Sequence, residues 1–209
     1  MTGGIAAVLL AAGVSRRMGQ PKMVMPWGAT TVLGQVVSTF SAGLSSALDR
    51  RIDPEPEILV VTGGARTLIE AEVARLAEQY PLRMVFNPNY ALGGMVSSIQ
   101  AGLTALGPGI IAALIGLGDQ PQVRDKTVKL ICTAFEKTGS LIVIPSFQNR
   151  RGHPWLAARP LWPELIALPS STTPRQFLDA HATQIEYVPA DESILQDLDT
   201  PEDYNRQRP

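Results

Sequence analysis

Ile5-Ala6-Ala7-Val8-Leu9-Leu10-Ala11-Ala12-Gly13-Val14-Ser15-Arg16-Arg17-Met18-Gly19-Gln20-Pro21-Lys22 begins as an unbroken apolar run and ends in a small, cationic loop. A run without polar alternation is expected of a strand covered on both faces. Similar runs follow at Ile58–Val61, Met84–Phe86, Ile110–Ile115 and Leu141–Ile144. Helical stripes separate them: Val32, Leu33, Val36, Val37, Phe40 and Leu44, then Leu68, Ile69, Val73 and Leu76, then Val128, Ile131, Cys132 and Phe135. Strands alternating with helices imply right-handed crossovers and a parallel sheet. The expected fold is therefore α/β: a three-layer, Rossmann-like arrangement around a mostly parallel sheet. Ligands of such sheets bind outside the carboxyl ends of the strands. Residues just after Leu10, Val61, Phe86 and Ile115 should then line one crevice.

The 209 residues suit a single domain over 1–209, large enough to fold without disulfide or metal staples. Hydrophobic residues make up 45% and charged residues 18%, which excludes disorder as the main state. A net charge of -1 argues against a general binder of nucleic acid or of anionic membranes. Cys132 is the single cysteine, so no internal disulfide can form and a reducing cytoplasm is expected. Ile5–Ala12 is too short to span a bilayer and has no basic stretch before it, as a secretory signal would. After Pro145 the pattern changes. Residues 145–185 read as a smaller subregion with short helices near Leu161–Leu168 and Pro174–Ala180, followed by a strand at Ile185–Val188. Asp49–Glu57 reads as an exposed loop, and a terminal helix starts at Pro201.

The chemistry-bearing residues sit at the expected strand ends. In the first loop, Leu10, Ala11, Ala12 and Gly13 are small or backbone-exposing, so a ligand can approach closely. Arg16, Arg17 and Lys22 place three cations in one short loop of a nearly neutral chain, which points to an anionic ligand. The residues also fit an ordinary βα turn with solvated arginines. Neither GxxxxGK[ST] nor GxGxxG is present, so the usual phosphate-loop and dinucleotide fingerprints do not apply. Asp119, in Gly116-Leu117-Gly118-Asp119-Gln120-Pro121, is a carboxylate at the end of a buried strand, suited to Mg²⁺ and phosphate. It could instead cap the next helix, although Asp125 is better placed for that. Asn87–Ser98 carries Gly93-Gly94 before a helix start, with Ser97 and Ser98 able to bond a ribose or base, or simply to cap. Thr62-Gly63-Gly64 borders the same crevice. Near the C-terminus, Thr200-Pro201-Glu202-Asp203 reads as a capped helix start, which leaves Asp199 unexplained.

The loop LAAGVSRRMGQPK (residues 10–22) resembles the signature of the MobA/MocA-type nucleotidyltransferases, the molybdenum-cofactor branch of the sugar-nucleotide transferase superfamily. The segments 93–98, 116–121, 151–154 and 197–204 resemble the family as well. The resemblance implies the nucleotide-diphospho-sugar transferase type of fold. It also implies transfer of a nucleoside monophosphate from an NTP to a phosphorylated acceptor such as molybdopterin, with release of pyrophosphate. By this resemblance Leu10, Ala11, Ala12, Gly13, Ser15, Arg16, Lys22, Gly94, Ser97 and Ser98 contact nucleotide. Asp119 and Asp199 hold Mg²⁺, with Asp197 orienting the loop. Arg16, Lys22 and Asp119 form the catalytic set. Arg151 and His153, in an Arg-Gly-His-Pro turn, contact the acceptor. An LAAG loop resembles the cytidylyl branch and LAGG the guanylyl branch; the methyl of Ala12 leaves less room, which favours CTP.

Two features depart from the family. Pro169-Ser170-Ser171-Thr172-Thr173-Pro174-Arg175 stands where many relatives carry a glycine-rich Gly-Asp segment. Trp155 and Trp162 enrich the same region, expected first as core and second as a stacking surface for a flat acceptor. Two rival functions remain open from sequence: a sugar-1-phosphate nucleotidyltransferase, and an accessory protein that binds nucleotide and a molybdoenzyme partner without turnover.

Overall fold

The computed structural model describes residues 3–47 and 57–209. Most of the Asp49–Glu57 loop, up to residue 56, lies outside the described residues, as does the side chain of Arg16. Along the chain, β1 (Gly4–Ala11) leads to a small hairpin, β2 (Pro26–Trp27) and β3 (Thr30–Thr31). Then come α1 (Val32–Ala47), β4 (Ile58–Thr62), α2 (Arg66–Leu76), β5 (Leu82–Phe86), α3 (Gly94–Ala105), β6 (Ile110–Leu117) and α4 (Asp125–Thr138). The rest comprises β7 (Ile142–Phe147), β8 (Arg150–Arg151), β9 (Trp155–Ala158), α5 (Trp162–Ala167), α6 (Pro174–Ala180), β10 (Ile185–Pro189) and α7 (Pro201–Gln207). The expected strands and short helices are all present, with ends that differ by a few residues at most.

The main sheet runs β5-β4-β1-β6-β9-β7-β10, with β8 paired to β7. β1 is central and parallel to both neighbours, Leu10 standing opposite Val61 on one side and Leu117 on the other. Its lack of alternation has a direct cause. Ile5, Ala7, Leu9 and Ala11 lie in one buried cluster with Phe40 of α1, Val73 of α2 and Phe135 of α4. Ala6, Val8 and Leu10 lie in a second buried cluster with Ile99 and Leu103 of α3, which extends to Phe177 of α6. Each fully buried Val, Leu or Ile contributes about 1.5–3 kcal/mol, and here both faces of one strand collect it. Among the described residues no helix is long and apolar enough to cross a membrane.

Two strands depart from the expected parallel pattern, the short β8 on β7 and, inside the sheet, β9. β9 enters antiparallel between β6 and β7, with Trp155 opposite Ile115 and Leu156 opposite Val143. Four buried residues inside a Pro-, Trp- and Arg-rich stretch carry no readable period. An antiparallel strand begins where its parallel neighbours end. The insertion therefore delivers Gly152-His153-Pro154 to the carboxyl edge of the sheet. Both tryptophans pack in the core: Trp155 is 1% and Trp162 4% exposed, and the Trp162 indole N–H donates to the Ala157 carbonyl at 3.1 Å.

A third, small core lies outside the sheet. Met18, Met25, Trp27 and Val32 pack on Leu198 and Tyr204, with the Trp27 and Tyr204 rings 6.2 Å apart. The Tyr204 hydroxyl donates to the Pro26 carbonyl. α7 opens with the expected cap, the Thr200 side chain accepting from the Asp203 N–H and the Asp203 carboxylate accepting from the Thr200 N–H. This cluster clamps the C-terminal segment onto the chain that follows the first loop.

Candidate active site

The carboxyl ends of β1 and β6 and the segment after β5 surround a cleft of about 540 Å³. The loop after β1 forms its floor. Its sharp turns come at Ser15 (φ 48°) and Gly19 (φ 67°), both left-handed, while Gly13 has no positive φ. Gly13 instead presents bare backbone to the cleft, since a Cβ there would meet nothing within 4 Å. Holding Ser15 left-handed costs about 1–2 kcal/mol. Its hydroxyl offsets part of this by accepting the Lys22 backbone N–H at 3.2 Å, which closes the loop.

Gly63 and Gly64, expected at the crevice, instead brace the loop from behind. The Gly64 N–H donates to the Ala12 carbonyl at 2.9 Å, and a Cβ on Gly63 would stand 2.7 Å from the Ala12 Cβ. Only glycine allows these backbones to come so close.

Charge concentrates at Lys22, which is 9% exposed. Its ammonium contacts the Asp119 carboxylate, donates to the Leu198 carbonyl at 3.1 Å, and lies 3.6 Å from Asp199 Oδ1. Arg17 Nη1 binds the other oxygen of Asp199 at 3.1 Å. A nearly buried ammonium is tolerated because oxygens converge on it. The Gly-Asp-Gln-Pro segment is tied to the C-terminal acids by Gln120, whose Nε2 donates to Asp197 Oδ1 at 2.7 Å. Partial burial lifts the Asp197 carboxyl above the usual carboxylate range, opposed by the Gln120 bond and reinforced by the charges of Asp119 and Asp199. The cap position of α4 is Arg124 and no side chain caps the helix; Asp125, expected as the better cap, lies inside the first turn and accepts the Lys126 N–H at 2.7 Å, and Asp119 does not cap it either.

Asp119 and Asp199 thus each direct an oxygen toward one cationic position beside the cleft. Among the described residues no group of three or more His, Cys, Asp or Glu side chains could hold a metal unaided. Two carboxylates open to a cleft suit an ion such as Mg²⁺ that completes its shell with phosphate oxygens and water.

The opposite wall is built around Asn87, a buried residue. Its Nδ2 donates to Ser97 Oγ at 2.8 Å and Ser98 Oγ at 3.0 Å, and its Oδ1 accepts the Asn89 N–H at 2.9 Å. This pins the 87–94 loop to α3 and presents Tyr90, Ala91 and Met95 to the cleft as an apolar face.

Of the residues expected at nucleotide and metal, Leu10, Ala12, Gly13, Ser15, Lys22, Gly94, Ser98, Asp119 and Asp199 line this one cleft. Ala11 and Ser97 do not. Ala11 points into the first core, and the Ser97 hydroxyl is consumed within the Asn87 network and by the Gly94 carbonyl at 3.0 Å. The side chain of Arg16 is outside the described residues; Arg17, which carried no separate role in the sequence, lines the cleft. Gln120 and Asn87 were also missed as positioning groups. Their signal was a polar residue next to a strand end, too common to single out.

Arg151 and His153 line a second cavity of about 840 Å³, between the carboxyl ends of β7 and β10 and helix α6. Arg151 donates to the Tyr187 hydroxyl at 2.9 Å and pairs with Asp179 at 2.5 Å. Burial pushes the His153 imidazole down to about 4, while the charge of Asp119 pulls the other way. His153 is therefore neutral at pH 7 and suited to hydrogen bonding. The sign of its effect on stability follows. Between about pH 6.5 and 4 the unfolded chain holds a proton that the folded chain lacks, so stability falls as pH drops through this window. At 1.36 kcal/mol per unit the loss is about 3 kcal/mol. Urea midpoints measured from pH 7 to 4.5 should fall less steeply in His153→Gln than in the parent. Equal slopes would remove the assignment.

The comparisons with known proteins give the family and the fold. A family model described as a MobA-like NTP transferase domain matches residues 7–185. The molybdenum cofactor cytidylyltransferase of Escherichia coli (strain K12) is 28% identical over 203 residues, covering 96% of this chain and 93% of that one. Among solved structures, Rv0371c from Mycobacterium tuberculosis H37Rv is similar with a TM-score of 0.78 at 25% identity, covering 99% of this chain and 98% of that one. A structure of the same protein in complex with manganese gives a TM-score of 0.73 at 24% identity, with 99% and 98% covered.

Proposed function

The chain belongs to the MobA-like NTP transferase family and is a nucleotidyltransferase; from that premise we propose that it transfers the cytidylyl group of CTP to a phosphorylated acceptor of the molybdopterin type, with Mg²⁺, releasing pyrophosphate. The observation that carries this reading is the convergence of Lys22, Asp119 and Asp199 beside the bare backbone of Gly13.

An acceptor phosphate oxygen attacks the α-phosphorus of the nucleotide in line. A new P–O bond forms, the bond from the α-phosphorus to the bridging oxygen breaks, and that oxygen leaves on pyrophosphate. The attacking phosphate is already anionic at neutral pH, so no general base is required. Catalysis then rests on alignment and on stabilising charge that moves toward the leaving group. Gly13 and Ser15, which line the cleft, would face the β- and γ-phosphates, and Arg16 is assigned to them by the family resemblance alone. Lys22 approaches the α-phosphate, and Arg17 adds a second cation at the same edge. Asp119 and Asp199 would hold the divalent ion, which when bound neutralises phosphate charge as a Lewis acid. The manganese complex of the Mycobacterium tuberculosis protein supports a divalent cation in this fold.

Ala12 supports CTP over GTP. It is 7% exposed, lines the cleft, and is backed by Gly63, so its methyl cannot retreat from a bound base. The cytidylyltransferase name of the Escherichia coli relative points the same way. Tyr90 and Met95 offer the base an apolar face. The acceptor lies in the second cavity, with neutral His153 and the Tyr187-backed Arg151 as donors, and residues 145–185 serve as the acceptor side. The antiparallel β9 supports this by bringing His153 close enough to feel the charge of Asp119. A pyrophosphate-release screen of each NTP with Mg²⁺ and a panel of phosphorylated acceptors including molybdopterin tests the reading. The expected result is a kcat/KM for CTP at least about tenfold above that for GTP, about 1.4 kcal/mol. A preference for GTP would overturn the base assignment. Release driven best by sugar 1-phosphates would overturn the acceptor, and binding of CTP without release under every condition would leave an accessory role.

A further inference from the structure

We propose that Lys22 is a resident counter-ion: its ammonium holds the divalent-cation position while the cleft is free of nucleotide and yields it when a triphosphate arrives, so that metal and nucleotide enter together. The inference rests on Asp119 and Asp199 being the metal ligands, and it goes beyond the phosphate-binding role of Lys22.

The geometry is that of an occupied cation site. The Lys22 ammonium has a carboxylate from Asp119, a backbone carbonyl from Leu198 and a nearby carboxylate oxygen of Asp199. The carbonyl cannot easily move away, because Leu198 is fully buried in the small core with Met18 and Trp27. The backbone of Lys22 is held by Ser15. Arg17 takes the second oxygen of Asp199. The two acids are therefore neutralised before any metal arrives. A dication entering beside the ammonium would meet like charge at a few ångströms, least screened on the side of Lys22 and Asp119, which are largely out of water, and more screened at the half-exposed Asp199. A triphosphate alters this balance. It brings several negative charges to the same loop and gives both Lys22 and Arg17 new partners. The lysine side chain is a four-carbon stem with a compact charged head, able to swing while its backbone stays fixed.

Binding of Mn²⁺, followed by electron paramagnetic resonance of the free ion, tests this without turnover. Wild type alone should bind Mn²⁺ weakly, and an α,β-methylene analogue of CTP should tighten binding at least about tenfold beyond that of the analogue in solution. Lys22→Met keeps most of the stem and removes the charge. It should bind Mn²⁺ at least about tenfold more tightly than wild type without nucleotide, about 1.4 kcal/mol. With the analogue this advantage should vanish. Lys22→Arg keeps the charge and should stay weak. A lysine that only supported the fold would instead lower metal affinity in both states when replaced.

If Lys22→Met gains no affinity, or wild type binds Mn²⁺ equally well with and without the analogue, the counter-ion role is overturned. The wild-type comparison serves should Lys22→Met fail to fold in a thermal melt. Asp119→Asn separates the two levels of inference. If it abolishes analogue-dependent Mn²⁺ binding while Lys22→Met gains nothing, the ligand assignment stands and the counter-ion role falls. If it leaves that binding intact, both fall.

Discussion

Asp119→Ala is expected to lower pyrophosphate release by at least about a thousandfold while the protein still folds. Loss of one well-placed electrostatic group at a reacting centre costs about two to three orders of magnitude. Here the same change also removes a ligand of the proposed metal, which adds to the loss. Folding should survive because Asp119 lies beyond the end of β6, outside the apolar clusters, with 18% of its side chain exposed. Its removal leaves Lys22 with the Leu198 carbonyl and Asp199, so the stability cost stays near 1–3 kcal/mol, the scale of a lost partner for a buried polar group. Steady-state release assays, paired with circular dichroism melts, check both halves. Turnover near the parental rate in a folded Asp119→Ala protein would remove Asp119 from the reaction.

The second large effect concerns Lys22→Ala, for which a loss of about two to three orders of magnitude in kcat is expected. In the proposed reaction Lys22 serves the α-phosphate region, where charge moves as the leaving group departs. Its loss should therefore fall mainly on kcat and only modestly on KM for CTP, because Gly13, Ser15 and Arg17 still line the cleft where the triphosphate is proposed to bind. The Ser15 bond to the Lys22 backbone N–H is retained in the variant, so the loop keeps its shape. A rise confined to KM would turn Lys22 into a simple binding group, and an unchanged rate would exclude it from the site. Kinetics over a CTP range, followed by melts, separate these outcomes.

Much of the architecture is legible along the chain because the signals are local. The unbroken run Ile5–Leu10 implies burial on both faces, and β1 is sandwiched between two cores. Thr200-Pro201-Glu202-Asp203 spells a helix start, and the capping bonds are there. The strand β9 was not legible. Trp155–Ala158 is too short to show a period, and its direction depends on partners some forty residues before it on β6 as well as on nearby β7.

The candidate site divides along the same line. Gly13, Lys22 and Asp119 stand out at strand ends through their residue types. Ala11 and Ser97 share that sequence context, yet one faces the core and the other is spent within the Asn87 network. Sequence by itself determined the doubly covered parallel strands, the crevice at their carboxyl edge and the cationic loop, because each follows from residues within a few turns of one another. The pairing of Asp119 with Asp199 was implied by the family resemblance; only the tertiary structure decided that Lys22 meets the Leu198 carbonyl, 176 positions away, and that its ammonium sits between those two acids. That meeting depends on Leu198 and Tyr204 burying themselves against Met18 and Trp27. Hydrophobic burial has no direction and leaves no periodic trace in the chain, so the partners it selects become visible only when the packing is seen.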